Sequence, residues 1–185
     1  ELNINNGTYL QMLTQIGKEG YGSDIDFAKA VVEATLIRTF NNVHRITIRG
    51  EAGVIKTNSF DEVPTSLRFY AGGDKSVRGF DYREISPTAE VIDPETGELI
   101  VDSIGGKYLA TSSVEYAYQV ADNWRVAAFV DAGTATNDTS TTLTYSVGPG
   151  VHWLSPIGPV RLYVARGFAP DENTWQLHIL LGPEL

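Results

Sequence analysis

The chain has 185 residues, of which 42% are hydrophobic and 10% aromatic, and it carries a net charge of −9. That length fits one domain. The acidic balance excludes a nucleic-acid role, which needs a basic face, and the lack of cysteine excludes disulfides, thiol catalysis and Cys-rich metal sites. No apolar run approaches the ~18 residues of a membrane helix, and no signal-peptide pattern opens the chain at Glu1.

In chain order the hydrophobic period is two nearly everywhere, which marks half-buried strands. Strands are expected at about 8–20, 25–39 and 43–57. In the third, Ile46, Ile48, Ala52 and Val54 oppose Arg45, Thr47, Arg49 and Glu51. A long connection, 58–104, follows. Further strands are expected at 105–120, 123–135, 142–154, 159–168 and 174–184. WRVAAFVDAG (124–133) alternates most cleanly, with Trp124, Val126, Ala128 and Val130 against Arg125, Ala127, Phe129 and Asp131. The joints FNN (40–42), AD (121–122) and SPIG (155–158) are tight. The others, GYGSD (20–24), 58–104, TNDTSTT (136–142) and APDEN (169–173), are mostly longer and polar.

Short turns alternating with long loops suggest a transmembrane β-barrel. Tyr118, Trp124 and Trp153 lie beside short turns, and Tyr108, Tyr145 and Trp175 beside long loops. All are on the apolar parity, which gives two interfacial girdles. The other parity carries Lys29, Glu33, Arg45, Arg49, Glu51, Glu115, Arg125, Asp131 and Arg161 and suits a wet lumen. A soluble all-β binding protein also alternates, with the apolar face turned inward. Pattern alone leaves both readings open.

Within the long connection, FYAGGDKSVRGFDY (69–82) mixes glycines and charges in a way that no regular element tolerates. This sequence resembles the BamA/TamA superfamily of outer-membrane assembly factors. FYAGGDKSVRGFDY is similar to that family's sixth extracellular loop with its (V/I)RG(F/Y) motif. SSVEYAY (112–118) and AAFVDAGTA (127–135) are similar to the two strands after it. DEVPTSLRFYAGGD (61–74) and the ending LLGPEL resemble the TamA branch most, and the final Leu185 departs from the terminal aromatic common among outer-membrane proteins.

The resemblance implies that residues 1–185 are the C-terminal portion of the barrel, the last eight strands of sixteen, with POTRA domains and a first half-barrel expected upstream. It implies a bacterial outer-membrane location, membrane lipid and outer-membrane client proteins as partners, and an inner-membrane-anchored, TamB-like partner subunit. No enzyme activity and no cofactor are expected. It also implies that loop 58–104 folds into the lumen.

Strand parity independently puts Glu115 and Asp131 on the polar face, where two carboxylates repel. The planar fork of Arg78 suits two acceptors, as a lysine would not. Gly79 permits a close turn, and Val77 and Phe80 can wedge against the wall. The last strand, with Trp175, Leu177, Ile179 and Leu181 on its apolar side and a Gly182-containing tail, is expected to be a weakly paired seam where clients are templated. A passive pore or two-partner-secretion channel is the alternative function.

Other candidates are poor. His44, His152 and His178 sit singly on separate strands, so no zinc site is expected. Ser76 lacks a hydrolase elbow, and GKEGYG (17–22) precedes no helix. DPETGE (93–98) reads as a hairpin tip rather than a calcium loop. Asn137-Asp138-Thr139 fits the glycosylation sequon by a short pattern that chance often supplies.

Overall fold

The computed structural model describes residues 4–92, 97–138, 143–156, 158–170 and 173–182. Alternating sequence folds into ten strands: β1 (Gly7–Gly17), β2 (Phe27–Phe40), β3 (His44–Thr57), β4 (Thr88–Ile92), β5 (Leu99–Ser103), β6 (Tyr108–Ala121), β7 (Trp124–Thr136), β8 (Thr144–Ser155), β9 (Gly158–Phe168) and β10 (Asn173–Leu181). Eight form one antiparallel meander in the order β1-β2-β3-β6-β7-β8-β9-β10. β4 and β5 pair only with each other. Among the described residues, β1 and β10 are the two edges of the main sheet and no ladder joins them. No helix is long and apolar enough to cross a membrane, which says nothing of strands.

Local chemistry explains the turns. Asn41 and Asn42 both take positive φ, the conformation a tight hairpin requires and asparagine tolerates. Gly20 and Gly22 turn the β1–β2 connection, so β1 stops at Gly17 and β2 starts at Phe27. Both strands are shorter here than their alternation suggests.

Burial runs opposite to that of a water-soluble sheet. Along β7, Trp124, Val126 and Val130 are exposed, Val130 at 54%, while Arg125 and Phe129 are buried and Asp131 is fully buried. β6, β8, β9 and β10 repeat this, with Val114, Tyr116, Val151, Leu162, Val164, Leu177 and Ile179 on the open face. An uninterrupted apolar face of this size is costly in water and natural in lipid. The aromatic positions fit that solvent. Trp124 stacks on Trp153 at 6.1 Å near the short turns, and Tyr145 stacks on Phe168 at 5.0 Å near the long loops.

The 58–104 connection is more ordered than its sequence suggests. Two 3-10 turns (Phe60–Glu62 and Thr65–Leu67) lead in, and the β4–β5 hairpin leads out. That hairpin flanks the DPETGE segment; residues 93–96 themselves lie outside the described residues, as does Thr139 of the sequon. The turn was legible in DPETGE, but its two strands have five residues each, too few for their alternation to stand out.

The inner face has two zones. Nearest the loop, Ile25, Ile55, Leu109 and Ala135 of the wall pack with Val63, Phe69 and Ala71 of the loop into a small apolar core. The expectation of a uniformly polar, wet inner face is therefore corrected at this end. The loop supplies the apolar partner that makes burial there favourable. Its backbone is tied down as well. Phe69 and Gly106 exchange hydrogen bonds of 2.9 and 2.7 Å, and Ala71 and Ile85 do so at 2.9 and 3.0 Å. Lys29 Nζ donates to Leu67 O at 2.7 Å. Farther along, the inner face turns charged and receives the 74–82 segment of the loop.

Candidate functional site on the inner face

Arg78 is 1% exposed, the largest side chain to be buried so completely. β6 and β7 set its partners. The register pairs Asp131 with Ser113, and Glu115 lies two residues along β6 from Ser113, on the same face. These three oxygen-bearing side chains thus form a diagonal patch across two strands. The Arg78 fork spans it. Nε and Nη2 donate to Asp131 Oδ2 and Oδ1, both at 2.8 Å; Nη1 donates to Glu115 Oε2 at 2.6 Å; and Nη2 also donates to Ser113 Oγ at 3.1 Å. The Arg78 backbone N–H adds a bond to Asp131 Oδ2 at 3.0 Å. Arg49 Nη2 donates to the same Ser113 hydroxyl at 3.3 Å.

Two rings meeting at a right angle flank the guanidinium. Its carbon lies 3.6 Å from the Phe129 centroid and 4.5 Å from that of Tyr163. The rings meet edge-on, with centroids 5.6 Å apart. Bare backbone makes room for them: a Cβ on Gly148 would fall 2.9 Å from the Phe129 ring, and one on Gly150 would collide with the Tyr163 ring. Tyr163 in turn donates to Glu115 Oε1 at 3.2 Å and lies 2.9 Å from His152 Nε2. Burial alone would disfavour the Arg78 charge. The hydrogen bond and charge of Asp131, with Glu115 beside it, outweigh that and raise the guanidinium pKa above its ordinary value.

The neighbours of Arg78 fit a wall with gaps in it. Val77 is buried over Gly133 of β7, where an added Cβ would sit 2.8 Å from Val77 Cγ2. Phe80 is buried over Gly167 of β9, with a corresponding distance of 2.7 Å to its ring. Gly79 has φ +95°, and a Cβ there would meet Gly167 N at 2.9 Å. Both conformation and close approach therefore call for glycine.

The structure brings Val77, Arg78, Gly79, Phe80, Glu115 and Asp131 together. It puts Trp175, Leu177, Ile179 and Leu181 elsewhere, on the exposed outer face of edge strand β10, with Gly182 just past its end at positive φ. Sequence reasoning missed Ser113, Phe129, Tyr163, Gly148 and Gly150. The one legible signal for them was GPG at 148–150, since glycine inside a strand marks close approach. His152 and His178 are not isolated as their strand positions suggest; each joins a polar cluster on the inner face. No group of metal-ligating side chains occurs among the described residues. Ser76 accepts from Gly72 N–H at 3.3 Å, a local turn contact.

An antiparallel sheet with lipid-suited side chains outside, charges inside and its own loop packed on the charged face defines a segment of a transmembrane β-barrel. The chain belongs to the Omp85 superfamily, whose domain matches residues 1–182. It is 34% identical over 174 residues to the outer membrane protein assembly factor BamA of Nitratidesulfovibrio vulgaris, covering 90% of this chain and 21% of that one. It is 29% identical to BamA of Neisseria meningitidis, covering 87% and 24%. The crystal structure of Haemophilus ducreyi BamA lacking POTRA domains 1-3 shares the fold, with a TM-score of 0.78 at 22% identity, over 96% of this chain and 38% of that one. The chain thus spans about a fifth to a quarter of the curated relatives it matches. Proteins of this family lie in the bacterial outer membrane, and the relatives' names are those of assembly factors, not enzymes.

Proposed function

We propose that residues 1–185 are the C-terminal part of an outer-membrane barrel that assembles other outer-membrane proteins, with client strands pairing at β10. The observation that carries this reading is the place of β10, the last strand of the sheet, whose only ladder among the described residues is to β9. It pairs with β9 from Asn173–Phe168 to Leu181–Val160 and has no partner on its other side among the described residues. An unpaired edge templates incoming strands, and the outward Trp175, Leu177, Ile179 and Leu181 keep this one at the lipid boundary. The Arg78 cluster holds the loop against the inner face while the edge works. Upstream strands would complete the barrel and meet β10 at a seam, since two bare edges in lipid leave backbone groups unsatisfied; client strands would enter where that seam opens.

The test is a cysteine at Gln176 or Leu177 of the full-length protein, paired with cysteines along the last strand of a client during its assembly. Register-specific disulfides are expected, and their absence at every register would sink the reading. The TamA-like stretches at 61–74 and 180–185 support a narrower version, in which the clients include autotransporters and an inner-membrane-anchored subunit is the partner. Pull-down of such a subunit by the full-length protein decides that version. A passive channel would instead conduct more once 58–104 is deleted and would form no client disulfides.

A further inference from the structure

The inner face of β10 has no assigned part in this arrangement. Its inward residues are Thr174, Gln176, His178 and Leu180; the first three are polar, and each touches the loop. Thr174 Oγ1 donates to Gly79 O. His178 Nε2 accepts the Gly79 N–H at 2.9 Å. Gln176 Nε2 donates to Asp81 Oδ1 at 3.1 Å. His178 Nδ1 faces Asp74 Oδ1. Because Nε2 accepts, the ring proton sits on Nδ1 and points at the Asp74 carboxylate, which fixes the tautomer.

Gly79 is therefore held by β10 at both its N–H and its C=O. The residue before it, Arg78, is held by Asp131 of β7 through side chain and backbone together. Two consecutive loop residues thus connect β7 to β10 directly, passing over β8 and β9. Gly79 lies so close to the β9 backbone at Gly167 that no side chain fits between them.

We propose that Thr174, Gln176 and His178 are positioning residues: they clamp the last strand to the loop, and the loop acts as a strut between β10 and the Arg78–Asp131 pair. Among the described residues β10 has sheet hydrogen bonds to β9 alone, and the strut is a further support that does not depend on what pairs with its other edge. Peeling β10 from β9 then requires release of the loop at Gly79 as well as loss of the ladder. The inference rests on β10 being the working edge, but its test needs no client.

The test is hydrogen–deuterium exchange of β10 amides in the full-length protein in nanodiscs. Thr174→Val combined with His178→Leu is expected to speed exchange across 174–181 by about tenfold or more, while Thr174→Ser, which keeps the hydroxyl, leaves it within about twofold of the parent. Arg78→Lys, which loosens the far end of the strut, is also expected to speed exchange at β10 although it changes no β10 contact. Unchanged β10 exchange in the double variant overturns the clamp. Faster exchange there but not in Arg78→Lys overturns the strut and leaves only local support. Should the double variant not fold, judged by heat-modifiability, Thr174→Val and Gln176→Ala singly carry the same comparison. Client disulfides at Leu177 are scored separately: their failure with the exchange pattern intact refutes the assembly reading and leaves the clamp standing.

Discussion

Arg78→Ala is the sharpest test of the inner-face cluster. The side chain donates four hydrogen bonds to oxygens of Asp131, Glu115 and Ser113. It is 1% exposed, Asp131 is fully buried and Glu115 is nearly so. Truncation leaves two carboxylates close together without their cation. Breaking a buried pair from one side costs ~3–5 kcal/mol, or about two to three and a half powers of ten in the docked-to-undocked ratio of the loop at ~1.4 kcal/mol per tenfold. Arg78→Lys keeps the charge but cannot fork across both Asp131 oxygens and reach Glu115. Losing hydrogen bonds to charged groups at ~1.5–3 kcal/mol each puts it between Ala and the parent.

The assay is limited proteolysis within 58–104 on the full-length protein in nanodiscs, with heat-modifiability as a control that the barrel is intact. Cleavage should rise in the order parent, Lys, Ala. The combined Arg78→Ala/Asp131→Ala variant should lose less than the sum of its singles. Protection equal to the parent in Arg78→Ala would refute the reasoning, as would a lysine variant as exposed as the alanine one.

Three further outcomes follow from named contacts. Val130→Arg, on the lipid-suited face of β7, should impair insertion by ~2–4 kcal/mol if it sits near the midplane; Thr111→Arg, paired with Glu51 on the inner side, should be milder, and insertion yields from urea-unfolded protein into vesicles compare them. Gly167→Val should displace Phe80, whose ring lies 2.7 Å from the position of an added Cβ; overpacking of this kind costs ~1–3 kcal/mol and should open 78–82 to protease. Phe69→Ala removes the centre of the apolar core at the loop end, where losses of ~3–5 kcal/mol are usual. It should expose 60–71 to exchange while Arg78 stays protected, so equal loosening of both halves of the loop would show that they dock as one unit.

Alternation at period two made the eight long strands legible, because Asp131 beside Val130 or Glu115 beside Val114 leaves only a sheet with two unlike faces. The direction of that sheet was harder to read. The alternation of short turns with long loops, and the two girdles of Tyr118, Trp124 and Trp153 and of Tyr108, Tyr145 and Trp175, hinted that the apolar side faces lipid. Parity also put Glu115 and Asp131 on one face, and Arg78 stood out as a charge between Val77 and Gly79. Phe129 and Tyr163 were not legible as the rings that flank Arg78, since an inward aromatic looks the same whether it meets a cation or a neighbouring strand. Thr174, Gln176 and His178 share the polar parity of the last strand. That much is in the sequence, but their loop partners lie about a hundred residues away along the chain, and no local pattern encodes such a pairing. The apolar core was missed because Val63 and Phe69 sit in a segment with no period at all.

The loop joins β3 to β6, neighbours in the sheet, yet its contacts run far past that junction. Its first half needs only β2, β3, β6 and the end of β7 to close the core around Phe69. Arg78 then needs the middle of β7, Phe80 needs β9, and Gly79 needs β10. These contacts reach as far as the last strand, so the loop cannot be fully seated until β10 is in place. The seating of the loop therefore records whether the sheet has been completed, and a chain arrested before β10 would show 74–82 as a protease-sensitive segment.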